Sequence, residues 1–172
     1  TLMSWCTKQG IIDASPVPVM AARNPSRSHI LSPQALFQVF AATENHPYPF
    51  GPIVRLLVLT GQRRGEIAAL KWDWIDTQTR TITLPAAFTK NGRIHTFPYG
   101  DRVQETLETI PHLGEYLFPS RSSKGTIFNG WGKAKERFDR TLENVAPYTL
   151  HDLRRTFAST LAELVTPIHV TE

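Results

Sequence analysis

His151 and Arg154 stand three residues apart in the stretch Thr149-Leu150-His151-Asp152-Leu153-Arg154-Arg155-Thr156-Phe157-Ala158. On a helix that spacing puts an imidazole and a guanidinium on one face. Apolar residues at Leu150, Leu153, Phe157, Leu161 and Leu164 form the adjoining stripe of an amphipathic helix, so the pair lies at the margin of a core. A titratable ring beside a permanent cation suits an anionic oxygen ligand. It equally suits a solvated helix face with ordinary charges. Pro147 and Tyr148 lead in, and Thr149 with Asp152 forms a capping-box pattern, although Asp reaches back less well than Glu.

A second group of charges lies in Thr60-Gly61-Gln62-Arg63-Arg64-Gly65-Glu66. Residues 53–59 before it are apolar nearly all round, which predicts a central buried helix whose one charge, Arg55, snorkels or pairs. Gly61 breaks that helix and a short one begins near Arg63, whose position at a helix N-terminus favours an anion. Glu66, three residues on, can hold a guanidinium or a backbone group in place. A plain helix junction with surface arginines is the alternative. Further on, residues 80–84 and 93–97 alternate as strands around Asn91-Gly92, a hairpin signal. Lys90 then stands at an exposed hairpin tip, able to enter a groove or merely to solubilise the turn.

Around these groups the chain reads as a mainly helical α+β protein. Residues 1–10 form the last turns of a helix ending at Gly10, and residues 11–27, with three prolines, read as a linker. Ser32-Pro33 caps and starts a helix to about Glu44, and His46-Pro47-Tyr48-Pro49-Phe50-Gly51-Pro52 ends it. Trp72 and Trp74 read as packing residues. Residues 101–110 form a helix, 111–120 a loop, and 121–125 a polar loop that either contacts phosphate or only connects. A helix over about 128–142 sets Lys133, Arg137 and Arg140 on one face, either a stripe that tracks a DNA backbone or a solvated surface. Thr166-Pro167 starts another segment.

Composition narrows the class. The 172 residues fit one domain, or one with a fragment of another, and 41% hydrophobic content supports a core. With 20% charged residues the chain does not read as a disordered tail. A net charge of +4 and a pI near 9.5 are compatible with nucleic acid. Cys6 is the lone cysteine, so no internal disulfide or cysteine-based metal site arises, and the six histidines include no HExxH pair. With no apolar run near 18 residues and no leader pattern, the expectation is a soluble protein of a reducing compartment, off the membrane.

Thr60-Gly61-Gln62-Arg63-Arg64-Gly65-Glu66, the Thr89-Lys90-Asn91-Gly92 turn and the His151 to Ala158 stretch together resemble the tyrosine recombinases, or phage integrases. The resemblance runs from about residue 29 to the end. It implies an integrase-type catalytic domain over 29–172, with a small antiparallel sheet or hairpin packed on a helical core. Residues 1–28 become the tail helix of an N-terminal core-binding domain plus linker.

It also implies roles. Arg63 and Arg154 match the two arginines that clamp the scissile phosphate, and Lys90 matches the acid that protonates the departing 5′ oxygen. His151 matches the histidine that assists proton transfer at the nucleophile, and Glu66 the acidic residue that supports the site. Arg93, Lys133, Arg137 and Arg140 are further expected DNA contacts. The implied reaction is site-specific recombination of duplex DNA through a 3′-phosphotyrosyl link, by a cytoplasmic enzyme that is homotetrameric on DNA when full length. No cofactor or metal is implied. The family's nucleophilic tyrosine lies beyond the HxxR helix, whereas Tyr48, Tyr99, Tyr116 and Tyr148 all precede His151. The expectation is therefore a catalytic domain lacking its C-terminal end and inactive alone. The alternatives are a non-catalytic DNA-binding remnant or, less closely, a type IB topoisomerase-like enzyme or telomere resolvase.

Overall fold

The computed structural model describes residues 2–13, 29–120 and 126–164. Most of the expected linker, the 121–125 loop and the segment from Thr166 lie outside the described residues. Seven helices, α1 (Leu2–Lys8), α2 (Pro33–Asn45), α3 (Phe50–Thr60), α4 (Arg64–Ala68), α5 (Asp101–Glu108), α6 (Trp131–Asp139) and α7 (Leu150–Glu163), accompany a sheet of β1 (Ile75–Asp76), β2 (Thr81–Leu84) and β3 (His95–Pro98). The strands run antiparallel in the order β1-β2-β3. Among the described residues no helix is long and apolar enough to cross a membrane.

The apolar run expected at 53–59 is the centre of the molecule. Ile53, Val54, Leu56 and Leu57 are all essentially buried, because α3 is covered by α2, α5 and α7. Ser32 accepts the Ala35 N–H at 3.2 Å, with Pro33 opening α2 as its missing donor permits. Arg55 stays near the surface by lying over the Phe40 ring and reaching Glu44 at 3.6 Å. Trp72 stacks on His112 and Trp74 meets Phe88 edge-on, both packing roles.

The sheet is shorter and differently connected than the alternation predicts. Pairing between β2 and β3 runs from Thr81↔Pro98 to Leu84↔His95, so Arg80, Arg93 and Ile94 fall outside the ladder. Arg80 sits in a turn with φ +51, pairing with Asp101. Asn91-Gly92 is not a two-residue hairpin turn but part of the connection 85–94. Pro85 carries no N–H to continue a ladder, and residues Ala86–Phe88 coil into a short turn that packs Phe88 on Trp74. Thr89 then staples the loop: its hydroxyl oxygen lies 2.7 Å from the Arg93 carbonyl and accepts the Arg93 N–H at 3.1 Å.

Helix α6 begins at Trp131, three residues later than expected. Phe128 instead donates its N–H to Phe118 and Ile127 bridges to Pro119, which holds this stretch extended. On α7 the stripe buries only its N-terminal half. Leu150 and Leu153 are buried, and Leu164 is 71% exposed.

Gly61 closes α3 with φ +62, its N–H donating to Leu57 O at 3.0 Å. A Cβ here would lie 2.2 Å from the Phe157 ring of α7. Left-handed backbone and a close helix contact therefore both require glycine at this position. Gly61→Ala combines φ strain with overpacking and should cost about 3 kcal/mol, lowering Tm by roughly 10 °C. Differential scanning calorimetry measures this, and an unchanged Tm would show that α7 does not seat on Gly61.

Candidate active site

Arg63 precedes the first turn of α4 with extended backbone (φ −73°, ψ 146°). One carboxylate fixes it twice: Glu66 accepts the Arg63 N–H at 2.9 Å on Oε2 and Arg63 Nη1 at 2.8 Å on Oε1. Glu66 is only 4% exposed, so its charge acts in a poorly solvated setting. The Arg63 N–H at the α4 N-terminus is occupied by Glu66, which leaves the guanidinium as this residue's group for an anion.

Arg154 reaches the same spot from α7. Its Nη1 donates to the Gly61 carbonyl at 2.6 Å. Burial, then the neighbouring charge of Arg63, weighs against its cationic form, while Glu66 partly offsets them. Glu66 pairs directly with Arg63 and acts on Arg154 only through space, leaving positive charge that a tetrahedral oxyanion can neutralise.

The start of α7 is held by an equally buried acid. Asp152 Oδ2 accepts from the Thr149 N–H at 2.8 Å and from its hydroxyl at 2.7 Å, and Oδ1 accepts from Arg155 Nη1 at 3.0 Å. Burial pushes the Asp152 carboxyl up, but these hydrogen bonds outweigh it and hold the group below the usual range. Thr156 accepts the Leu31 N–H at 3.0 Å and so ties the lead-in to α2 onto α7. His151 is displaced downward from the ordinary imidazole range, first by partial desolvation, then by Arg155, with Arg154 and Arg63 adding to it and Asp152 opposing.

A cavity of about 210 Å³ opens between these elements and the 85–94 connection. Gln62, Arg63, Glu66 and Arg154 line it from the helices, and Thr89, Asn91, Arg93, Ile94 and His95 from the sheet side. Of the expected site residues, Arg63, Glu66, Arg154 and Arg93 therefore meet in one cavity. His151 is on the rim side of α7, one turn before Arg154 and close enough to feel both arginines. Lys90 is exposed in the turn between two lining residues and does not itself line the cavity. His95 and Thr89 were not among the expected residues. The strand period carries the signal for His95, since it alternates with Arg93 and Phe97 on one face.

The α6 cations lie elsewhere. Trp131 receives Arg64 over its ring at 5.0 Å, and Lys135 lies 3.7 Å above the Tyr148 ring, so that flank of α6 meets α4 and the lead-in to α7. Lys133 and Arg137 are two residues away from these in register, roughly 200° around the helix. They line a separate cavity of about 320 Å³ with His46, Tyr48, Phe50 and Phe128. Arg140 pairs with Glu136 at 2.6 Å. None of the three lines the arginine cavity.

The tyrosines are engaged in packing. Tyr48 donates to the Leu117 carbonyl at 2.8 Å, Tyr99 to Gln104 at 3.0 Å, and the Tyr116 ring lies 4.9 Å from Lys71 Nζ. Tyr148 is buried, and that burial raises its phenol far above the usual range. Among the described residues no group of three His, Cys, Asp or Glu could hold a metal ion.

Residues 30–172 match the description "Phage integrase family". Prophage integrase IntZ of Escherichia coli (strain K12) is 34% identical over 114 residues, covering 64% of this chain and 27% of that protein. The chain thus spans about a quarter of that curated relative's length. Among solved structures, a lambda integrase dimer bound to a COC′ core site superposes with TM-score 0.68 at 21% identity, covering 98% of this chain and 64% of that one. A lambda integrase tetramer bound to a Holliday junction gives 0.66 at 21% identity, covering 95% and 51%. At such identity the likeness is one of fold: helices with a small antiparallel sheet.

The electrostatics yield a pH prediction. The unfolded chain binds the His151 proton more tightly than the folded one, so this imidazole's share of stability is lost as pH falls below about 6.5. Arg155→Ala or Arg154→Ala removes a repelling charge and should raise the His151 pKa, whereas Asp152→Asn should lower it. Proton NMR of the ring against pH reads this directly. A His151 pKa indifferent to both arginines would contradict the cluster.

Proposed function

The chain belongs to the phage integrase family, and we propose that it is the phosphate-holding part of a site-specific DNA recombinase acting on duplex DNA. The observation that carries this reading is the pair Arg63 and Arg154 in one cavity, braced by buried Glu66. A phosphodiester presents two non-bridging oxygens, and two guanidinium forks can each hold one. As phosphorus becomes five-coordinate, negative charge grows on those oxygens, so fixed cations lower the barrier more than they tighten ground-state binding.

In the recombinase mechanism a tyrosine oxygen attacks phosphorus, the bond from phosphorus to the 5′ oxygen breaks, and that oxygen takes a proton. His151 assists the proton leaving the tyrosine, and Lys90 delivers the proton to the 5′ oxygen. For Lys90 this requires the 85–94 connection to turn its tip toward bound DNA. The packing of Tyr48, Tyr99, Tyr116 and Tyr148 away from the cavity supports an attacking tyrosine other than these four. A 5′-hydroxyl of another strand then displaces the tyrosine, which conserves the phosphodiester energy and requires no cofactor. We further infer, with lambda integrase solved on DNA as dimer and tetramer, that the whole protein assembles as a homotetramer on paired sites in the cytoplasm.

If Arg63, Lys90, Arg93 and Arg154 face phosphates, log Kd for duplex DNA should vary with log salt with a slope of about 3.6. Affinity then falls on the order of a hundredfold between about 50 and 200 mM salt. Fluorescence anisotropy measures this, and Arg63→Ala or Arg154→Ala should each remove about one unit of slope. A flat salt response contradicts the reading. In a protein that also carries the tyrosine, Arg154→Ala should reduce cleavage by roughly 10²–10³. Lys90→Ala should be rescued by a substrate with bridging 5′ sulfur, whose leaving group needs no proton. Absence of rescue removes Lys90 from the acid role.

A further inference from the structure

His95 opens β3 at the last rung of the ladder, opposite Leu84, and lines the arginine cavity from the sheet side. Its position is constrained from both directions. Toward the C-terminus its ring stacks on Phe97, two residues on and on the same strand face, with centroids 5.4 Å apart and planes at 28°. Phe97 is itself buried in the core. Toward the N-terminus the Thr89 staple holds the Arg93 backbone and fixes how the chain enters β3. Among the described residues, neither ring nitrogen of His95 has a hydrogen-bond or ion-pair partner. An oriented, solvent-exposed imidazole whose nitrogens have no protein partner, at the wall of a cationic cavity, is a preorganised contact for a ligand.

We propose that His95 is a further contact to the phosphodiester, donating a ring N–H to it from the β3 wall while Arg63 and Arg154 hold it from the helices. This rests on the reading of the cavity as a phosphodiester site. Imidazole carries at least one N–H in either charge state, so the contact does not depend on protonation. Lys90, by contrast, stands in an exposed turn outside the cavity lining and must be brought to the site. His95 is built into the sheet and needs no loop movement. It serves ground-state positioning of the phosphate, to which the mobile acid is then added.

The test uses the chain as it stands, with a duplex of about 20 base pairs at low salt and NMR detection of the histidine rings. The His95 and His151 signals should shift together and saturate at the same DNA concentration. His95→Phe keeps an aromatic ring to stack on Phe97 and removes the N–H, and should weaken DNA binding about three- to tenfold. His95→Gln, which retains a donor, should recover part of that loss. If His151 responds while His95 does not, or if His95→Phe binds as tightly as the parent with an unchanged Tm, His95 is a packing residue and the proposal fails. If neither ring responds and Arg63→Ala binds DNA undiminished, the phosphodiester reading itself fails and the proposal with it.

Discussion

Arg154 donates to the carbonyl of Gly61, a residue 93 positions earlier, at 2.6 Å. That hydrogen bond joins the end of the central helix to the helix carrying His151. It exists because Gly61 can do three things together. It adopts a left-handed backbone, turns its carbonyl toward α7, and leaves room for the Phe157 ring. The site is therefore a property of a helix junction. Arg63 follows Gly61 by two residues, so the turn that receives Arg154 also sets out the second guanidinium. Charge held by α4 and α7 converges because one glycine lets the end of α3 and α7 approach.

Two buried carboxylates make this convergence tolerable. Glu66 and Asp152 are each 4% exposed, and each reaches back three residues to the backbone N–H that precedes its helix. Each also binds an arginine, Arg63 for one and Arg155 for the other. An unpaired buried carboxylate would be costly, and hydrogen bonds from N–H groups and guanidinium offset that cost. The result is a rigid framework whose cavity is lined by three guanidiniums, of Arg63, Arg93 and Arg154, and one acid, Glu66. That excess favours an anion and opposes the protonation of His151, which leaves the imidazole able to accept a proton.

Much of this was legible in the residues, for local reasons. Ser32-Pro33, Gly61 and the Thr149/Asp152 pair are short-range signals in which a side chain or a missing Cβ acts within three residues. The buried helix at 53–59 follows from its unbroken apolar composition. The sheet was harder. Period-2 alternation through Arg93 and Ile94 predicted strand where the chain is a loop, since Pro85 and the packing of Phe88 on Trp74 intervene. Strand β1, two residues long, has no pattern of its own and depends on β2 for pairing. The α6 cations share a face in sequence, but which cavity that face borders is set by tertiary contacts, because Trp131 meets Arg64 of α4 and Lys135 meets Tyr148 ahead of α7. His95 emerged only when the cavity wall was in view.

The most direct measurement is a crystal structure of this chain with a short duplex at low ionic strength. The account predicts one phosphodiester in the cavity between α4, α7 and β3, with non-bridging oxygens about 2.7–2.9 Å from guanidinium nitrogens of Arg63 and Arg154, and the Arg154 to Gly61 contact intact. DNA lying instead along the Lys133 and Arg137 flank of α6, with the arginine cavity empty, would contradict it.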